Sequence, residues 1–323
     1  MSEQITAALP HDLTASLEGL GKSEWLARVS GIARARGAFR SLDPAHFAAY
    51  IEGNTTLLVT FETQAGIQGL TEEGQPMGWR MVREEGWSHL CLVSDGDTWF
   101  RSAGVYDYID ELIDDGFFEQ FDRVLFFGAG PCAYAACAYS VAAPGALVLA
   151  IQPQATLNPT LTEWDERFRE HRRLDFTSRY GYAPDMLDAC AQAWVLYDPV
   201  ERLDAMHAAL FARPNVTLFR LRHLGAALQG SLLRMGMLHT LLRLAGEGRL
   251  DARVFATLYR RRRRYPPYLR NLLSALEVDE REPLIQALCR NVTARMNLPR
   301  FRRRLRESAP DGAHLRRAMD ELD

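Results

Sequence analysis

The chain has 323 residues, 47% of them apolar and 24% charged, with a formal net charge of −3. Those proportions exclude a disordered, fibrous or collagen-like chain and leave room for one α/β domain with additions, or for two domains. No apolar run approaches the roughly 20 residues that cross a bilayer, and residues 1–10 lack the basic start and apolar core of a signal peptide, so the cytoplasm is the expected location.

In chain order, residues 2–49 carry Leu17, Leu20, Trp25, Leu26, Val29 and Ile32 at three-to-four spacing, the pattern of an amphipathic helical lead-in. Six continuous apolar runs follow, at 56–63, 89–94, 123–128, 146–152, 193–197 and 216–221. Runs without alternation suit strands covered on both faces, hence a mainly parallel sheet. Helical stretches at 78–85, 105–120, 132–142, 203–211 and 226–245 alternate with them, which predicts a doubly wound α/β fold. Residues 156–188 interrupt the rhythm with a polar, aromatic-rich excursion that suits either a lid or a packed insertion. From Asp251 the strand pattern stops and the chain reads as helical. The organisation expected is a lead-in over 1–50, an α/β core over 51–248 with an insertion at 156–190, and a basic helical extension over 249–323.

The chemistry centres on Gly128-Ala129-Gly130-Pro131-Cys132, where a buried strand turns directly into a small-residue helix. A helix amino terminus offers N–H donors and a positive dipole end to whatever sits there. Cys132 falls in that first turn, where the dipole predicts a lowered thiol pKa. Cys91, Cys137, Cys190 and Cys289 are scattered without zinc-site spacing and read as buried apolar residues in a reducing compartment; no metal site is expected.

The sequence RVLFFGAGPCAYAACAY resembles the G-x-S-x-G nucleophile elbow of the α/β-hydrolases, in the bacterial branch whose elbow continues as G-x-S-x-G-G-Y. Tyr134, Pro153-Gln154 and Trp164 stand where that branch has a tyrosine, a Pro-Gln pair and a tryptophan-rich insertion. The resemblance covers roughly 56–242 and implies a triad acid at Asp198, with Asp204 as a second candidate, and a histidine after the last strand, where this chain has His223 ahead of Gly225-Ala226. It departs from the pattern three times. Gly130 stands where the serine belongs, Pro131 lacks the N–H that would serve an oxyanion, and His223 lies three residues early. The expectation is a degenerate α/β-hydrolase-like chain that keeps the pocket for binding or assembly, with an unknown small molecule at 128–132.

Other readings stay open. Cys132 could act as an acyl-transfer nucleophile. Gly128–Ala133 also fits the G-x-G-x-x-A opening of dinucleotide-binding units, making a nucleotide or dinucleotide a possible cofactor, although the next strand ends at Gln152 where an acidic residue would hold the ribose. A phosphoadenosine phosphosulfate (activated sulfate) reductase shares a parallel α/β core and a reactive cysteine, but its Glu-Cys-Gly-Leu-His motif is missing and Cys289 lies in Leu288-Cys289-Arg290 instead. Asp95 and Trp99, in the loop after the second apparent strand, and Gln154 complete the expected ligand contacts. Residues 253–306 hold fifteen arginines against Glu277, Asp279, Glu280 and Glu282. With Tyr259, Tyr265 and Tyr268, the run Arg260, Arg261, Arg262, Arg263, Arg264 suits an anionic partner, a protein partner or a second copy of the chain, or pairing within the molecule.

Overall fold

The computed structural model describes residues 12–71 and 73–307. Helix α1, Lys22–Arg36, leads into strands β1, Gly37–Asp43, β2, His46–Ile51, and β3, Asn54–Thr63. Then come α2 (Gln64–Leu70), α3 (Trp79–Glu85), β4 (Trp87–Ser94), α4 (Ala103–Asp114), β5 (Arg123–Ala129), α5 (Pro131–Tyr139) and β6 (Leu147–Ile151). They are followed by α6 (Pro159–Thr162), α7 (Ala183–Met186), β7 (Gln192–Tyr197), α8 (Arg202–Leu210), β8 (Val216–Arg220), α9 (Leu228–Arg234), α10 (Leu238–Gly246) and α11 (Ala252–Tyr259).

The eight strands make one sheet in the order β1-β2-β4-β3-β5-β6-β7-β8. Strand β2 is antiparallel to both neighbours, and all pairs from β4 onward in that order are parallel. This is a doubly wound, mainly parallel sheet of the α/β-hydrolase type. Its central strands β3 to β7 are largely buried on both faces, as their continuous apolar runs require. Leu57, Val59 and Phe61 pack with Val105 and Ile109 of α4 and with α5. Cys91 and Val93 pack on the other face with Trp25, Val29 and Ile32 of α1 and Trp79 of α3.

One expectation is corrected. The lead-in is not helical to residue 49, because residues 37–51 form the hairpin of β1 and β2. Strand β1 is a largely exposed edge and so lacks the apolar run that marks its neighbours. Strand β2 is fixed by pairing with β4, Phe47 opposite Val93 and Ile51 opposite His89, a tertiary choice that overrides local helical spacing.

The chain divides into two compact units after Leu258. In the second, α12 (Pro266–Val278), α13 (Glu282–Thr293) and α14 (Pro299–Glu307) enclose Leu269, Leu273, Ile285, Cys289, Val292 and Phe301. Ion pairs tie these helices together: Arg300 to Glu277 at 3.0 Å, and Arg304 to Glu282 at 2.6 Å and to Glu277 at 3.4 Å.

Candidate functional site

Strand β5 reaches the carboxyl edge of the sheet and reverses into α5 within two residues. Gly128 allows this because the helix backbone passes directly over it: a Cβ there would lie 2.1 Å from the Cys132 carbonyl oxygen. Gly130 forms the apex at φ 58°, ψ −127°, left-handed backbone that favours glycine. A Cβ on Gly130 would meet nothing within 4 Å, so a side chain there would point into open space. The amide of Gly130 donates to the Ile151 carbonyl at 2.8 Å, which ties the apex to β6. Pro131 takes the first helical position, where its fixed φ suits the helix and its nitrogen carries no proton.

Beside this turn is a cavity of about 130 Å³, lined among others by Phe61, Glu62, Thr63, Asp97, Pro131 and Cys132. Ala129 also borders it. Cys132 is 7% exposed, and burial pushes its thiol pKa up, with the carboxylates of Glu62 and Asp97 adding to the effect. That corrects the expectation of a dipole-lowered thiol: desolvation and two nearby acids outweigh one helix terminus.

Glu62 is the group that sequence reasoning missed. It ends a strand run that reads as apolar, yet its carboxyl accepts from Thr60 Oγ1 at 2.7 Å, from the Met77 amide at 3.1 Å and from Cys91 Sγ at 3.4 Å. Thr60 Oγ1 also lies 2.9 Å from His89 Nε2, while His89 Nδ1 is buried without a partner. Burial raises the Glu62 carboxyl above its usual range despite those donors, and burial lowers His89 to about 3. The signal available was the period-2 placement of Thr60 with Glu62, and of His89 with Cys91, on one face of adjacent strands.

Asp198 follows β7 at the carboxyl edge and is fully buried. It accepts the Val200 amide at 2.9 Å and the Gly225 amide at 2.7 Å, so one oxygen closes its own loop after β7 and the other holds the loop after β8. In that loop His223 adopts φ 69° and is partly exposed. Asp204, on α8, accepts from Arg167 Nη1 at 2.7 Å and Gln152 Nε2 at 2.5 Å.

Trp99, expected at the ligand, is instead fully buried, its ring among Tyr134, Phe168 and Phe176 at 5.1–5.9 Å. Gln154 is 3% exposed and donates to the Gln152 carbonyl at 3.1 Å. Exposed Asp95 pairs with Lys22. Glu62, His89 and Cys91 place one ligand-type atom each within 4.8 Å of one another, a grouping that scattered cysteines did not suggest.

No protein-family model matches the chain, and no curated protein matches it. Among solved structures, it is similar to a chain of the Glycosylation Associate Protein (Gap123) complex from Streptococcus agalactiae, at 13% identity and a TM-score of 0.42. That match covers 66% of this chain and 47% of that one, so this chain spans about half its length. It is similar to FphF, a fluorophosphonate-binding serine hydrolase of Staphylococcus aureus (12%, TM-score 0.39, 57% and 89% covered). A third is carboxyl esterase 2 of the mycorrhizal fungus Tuber melanosporum (11%, TM-score 0.40, 63% and 80% covered). The likeness is one of fold. At these values it carries no activity across.

In the second unit Arg260–Arg264 form a short 3-10 helix. Arg262 turns inward over the Tyr259 ring at 4.1 Å and the Tyr268 ring at 5.6 Å, whereas Arg260, Arg261, Arg263 and Arg264 are exposed. Cys289 is fully buried in that unit's core. Among the described residues, no helix is long and apolar enough to cross a membrane.

Proposed function

We propose that this chain is an α/β-hydrolase-like protein whose elbow pocket binds a small ligand instead of hydrolysing one by serine attack. The observation that carries the proposal is the Gly130-Pro131 apex: the turn has the strained backbone of an elbow, no side chain at its tip, and proline where an oxyanion donor is needed. Asp198 supports it, because its carboxylate is occupied by two backbone amides. So does Cys132, whose thiol burial keeps protonated.

The cavity of about 130 Å³ equals roughly four water volumes. Glu62 and Asp97 on its wall favour a compact neutral or cationic ligand with hydrogen-bond donors over a pyrophosphate. The test is labelling of the full chain with a fluorophosphonate, followed by peptide mapping. No adduct is expected on Thr63 or on residues 128–140; an adduct there at near-stoichiometric yield overturns the proposal.

A further inference from the structure

We infer that Asp43, His46 and Thr98 form a hydroxyl-activating relay beside a second cavity, with Thr98 as the nucleophile of an acyl-transfer site separate from the turn at Gly130. Asp43 ends β1 and His46 opens β2, and the turn between them is locked by the Ala45 amide, which donates to Asp43 Oδ1 at 2.8 Å. His46 Nδ1 lies 2.8 Å from both oxygens of Asp43, and His46 Nε2 lies 2.7 Å from Thr98 Oγ1. With Nδ1–H given to the carboxylate, Nε2 presents its lone pair to the Thr98 hydroxyl, whose proton it can take.

The remaining valences agree with these roles. Thr98 Oγ1 accepts the Phe100 amide at 3.2 Å, and Asp43 Oδ2 accepts Ser102 Oγ at 2.8 Å. Nucleophile, base and orienting carboxylate therefore stand in the order and at the spacing that acyl transfer requires.

Two independent features make this a site and not a buried network alone. The first is space. Asp43, His46 and Thr98 line a cavity of about 570 Å³, with Arg101, His171 and Arg173 also on its wall, a volume within the range of small-molecule sites. It opens at the carboxyl edge of the sheet, where α/β proteins bind ligands. The second is strain. Trp99 and Phe100, the two residues after Thr98, adopt φ 57° and 54°, a conformation bulky side chains rarely take. Such strain concentrates where a structure must aim a functional group. The burial of both rings enforces it, and it holds Thr98 against His46.

In the step proposed, Thr98 Oγ1 attacks the carbonyl carbon of an ester or thioester while its proton passes to His46 Nε2. The bond from that carbon to the leaving oxygen or sulfur then breaks. The leaving group departs as alcohol or thiol with the proton from His46, and the acyl group remains on Thr98 as an ester. Water or an acceptor hydroxyl, deprotonated by the same nitrogen, displaces it and restores the hydroxyl. Nothing is oxidised or reduced. Asp43 acts through His46 as a positioning residue.

The experiment uses the full chain and p-nitrophenyl acetate, with p-nitrophenolate release followed in time and the acetyl group located by peptide mapping. Acetyl on Thr98 is expected. Thr98→Ser should be acetylated several-fold faster, since a primary hydroxyl is less hindered, and Thr98→Val, which keeps the shape, should lose the adduct. His46→Gln should slow the step by about 100-fold. Asp43→Asn should slow it at unchanged melting temperature, with Asp43→Glu restoring part. No acetyl at residue 98 in either the wild-type or the Thr98→Ser chain overturns the inference. So does an adduct whose rate ignores His46→Gln. Mapping resolves residue 98 from residues 128–140, so this inference and the elbow reading stand or fall separately.

Discussion

A Cβ on Gly128 would sit 2.1 Å from the Cys132 carbonyl oxygen, a collision between two backbones that no rotamer can relieve. Gly128→Ala is therefore expected to lower stability by about 1–3 kcal/mol, read as a shifted urea midpoint at unchanged slope. Gly130 behaves in the opposite way. Space is free but the backbone is left-handed, so Gly130→Ser should cost about 1 kcal/mol and, with Pro131 still in place, yield no fluorophosphonate adduct at residue 130. His89 gives stability a pH dependence of definite sign. Burial lowers its pKa from 6.5 to about 3, so between those values the unfolded chain takes up a proton that the folded one refuses. Stability thus falls as pH drops below 6.5, by about 1.4 kcal/mol per unit, or about 2 kcal/mol at pH 5. Glu62 acts against this, because burial raises its carboxyl and the folded chain keeps a proton that the unfolded one releases as pH rises above 4.5. Denaturation at pH 5 and pH 7 should show the acid-side loss shrink in His89→Gln and grow in Glu62→Gln.

Among the elements, the first part of the excursion between β6 and β7 is tied to α8 by a network around buried Asp165. Asp165 accepts from His207 Nε2 at 3.0 Å and Arg167 Nη2 at 2.7 Å, and Arg167 reaches on to Asp204 of α8. Burial alone would raise the Asp165 carboxyl, but the bonds from His207 and Arg167 outweigh it and hold it well below the usual range. Asp165→Asn should cost about 2 kcal/mol, less than a fully buried pair because Arg167 is 35% exposed. Native-state trypsin cleavage at Arg169, Arg172 and Arg173 should quicken accordingly. Five strands, β3 to β7, were legible in the sequence because central strands covered on two faces must be apolar throughout, and edge strand β8 was legible because its run Val216-Thr217-Leu218-Phe219 is itself largely apolar. Strands β1 and β2 were not, since an exposed edge and its partner are defined by pairing across the sheet. The turn at Gly128–Cys132 was legible for a related reason: glycine and small residues in close order record a local backbone approach. Asp43, His46 and Thr98 left no such record, because only the pairing of His46 with Ser94 brings a loop 52 residues away to the hairpin.

The chain has two compact units, and in the smaller a core cluster holds Phe301, fully buried with Leu273 and Val292. Phe301→Ala should destabilise that unit by about 3–5 kcal/mol, speeding hydrogen exchange in α12–α14 and leaving the sheet amides of β3–β7 unchanged. The arginine excess lies in this same unit, while the sheet unit holds Lys22, the only lysine in the sequence. Lys22 pairs with Asp95 and lines a cavity of about 400 Å³ that shares Asp43 and His46 with the relay. An amine-reactive fluorophore can therefore attach to one side chain of the native protein. A dye placed there would stand at the rim of the hairpin and report by its emission whenever a ligand enters.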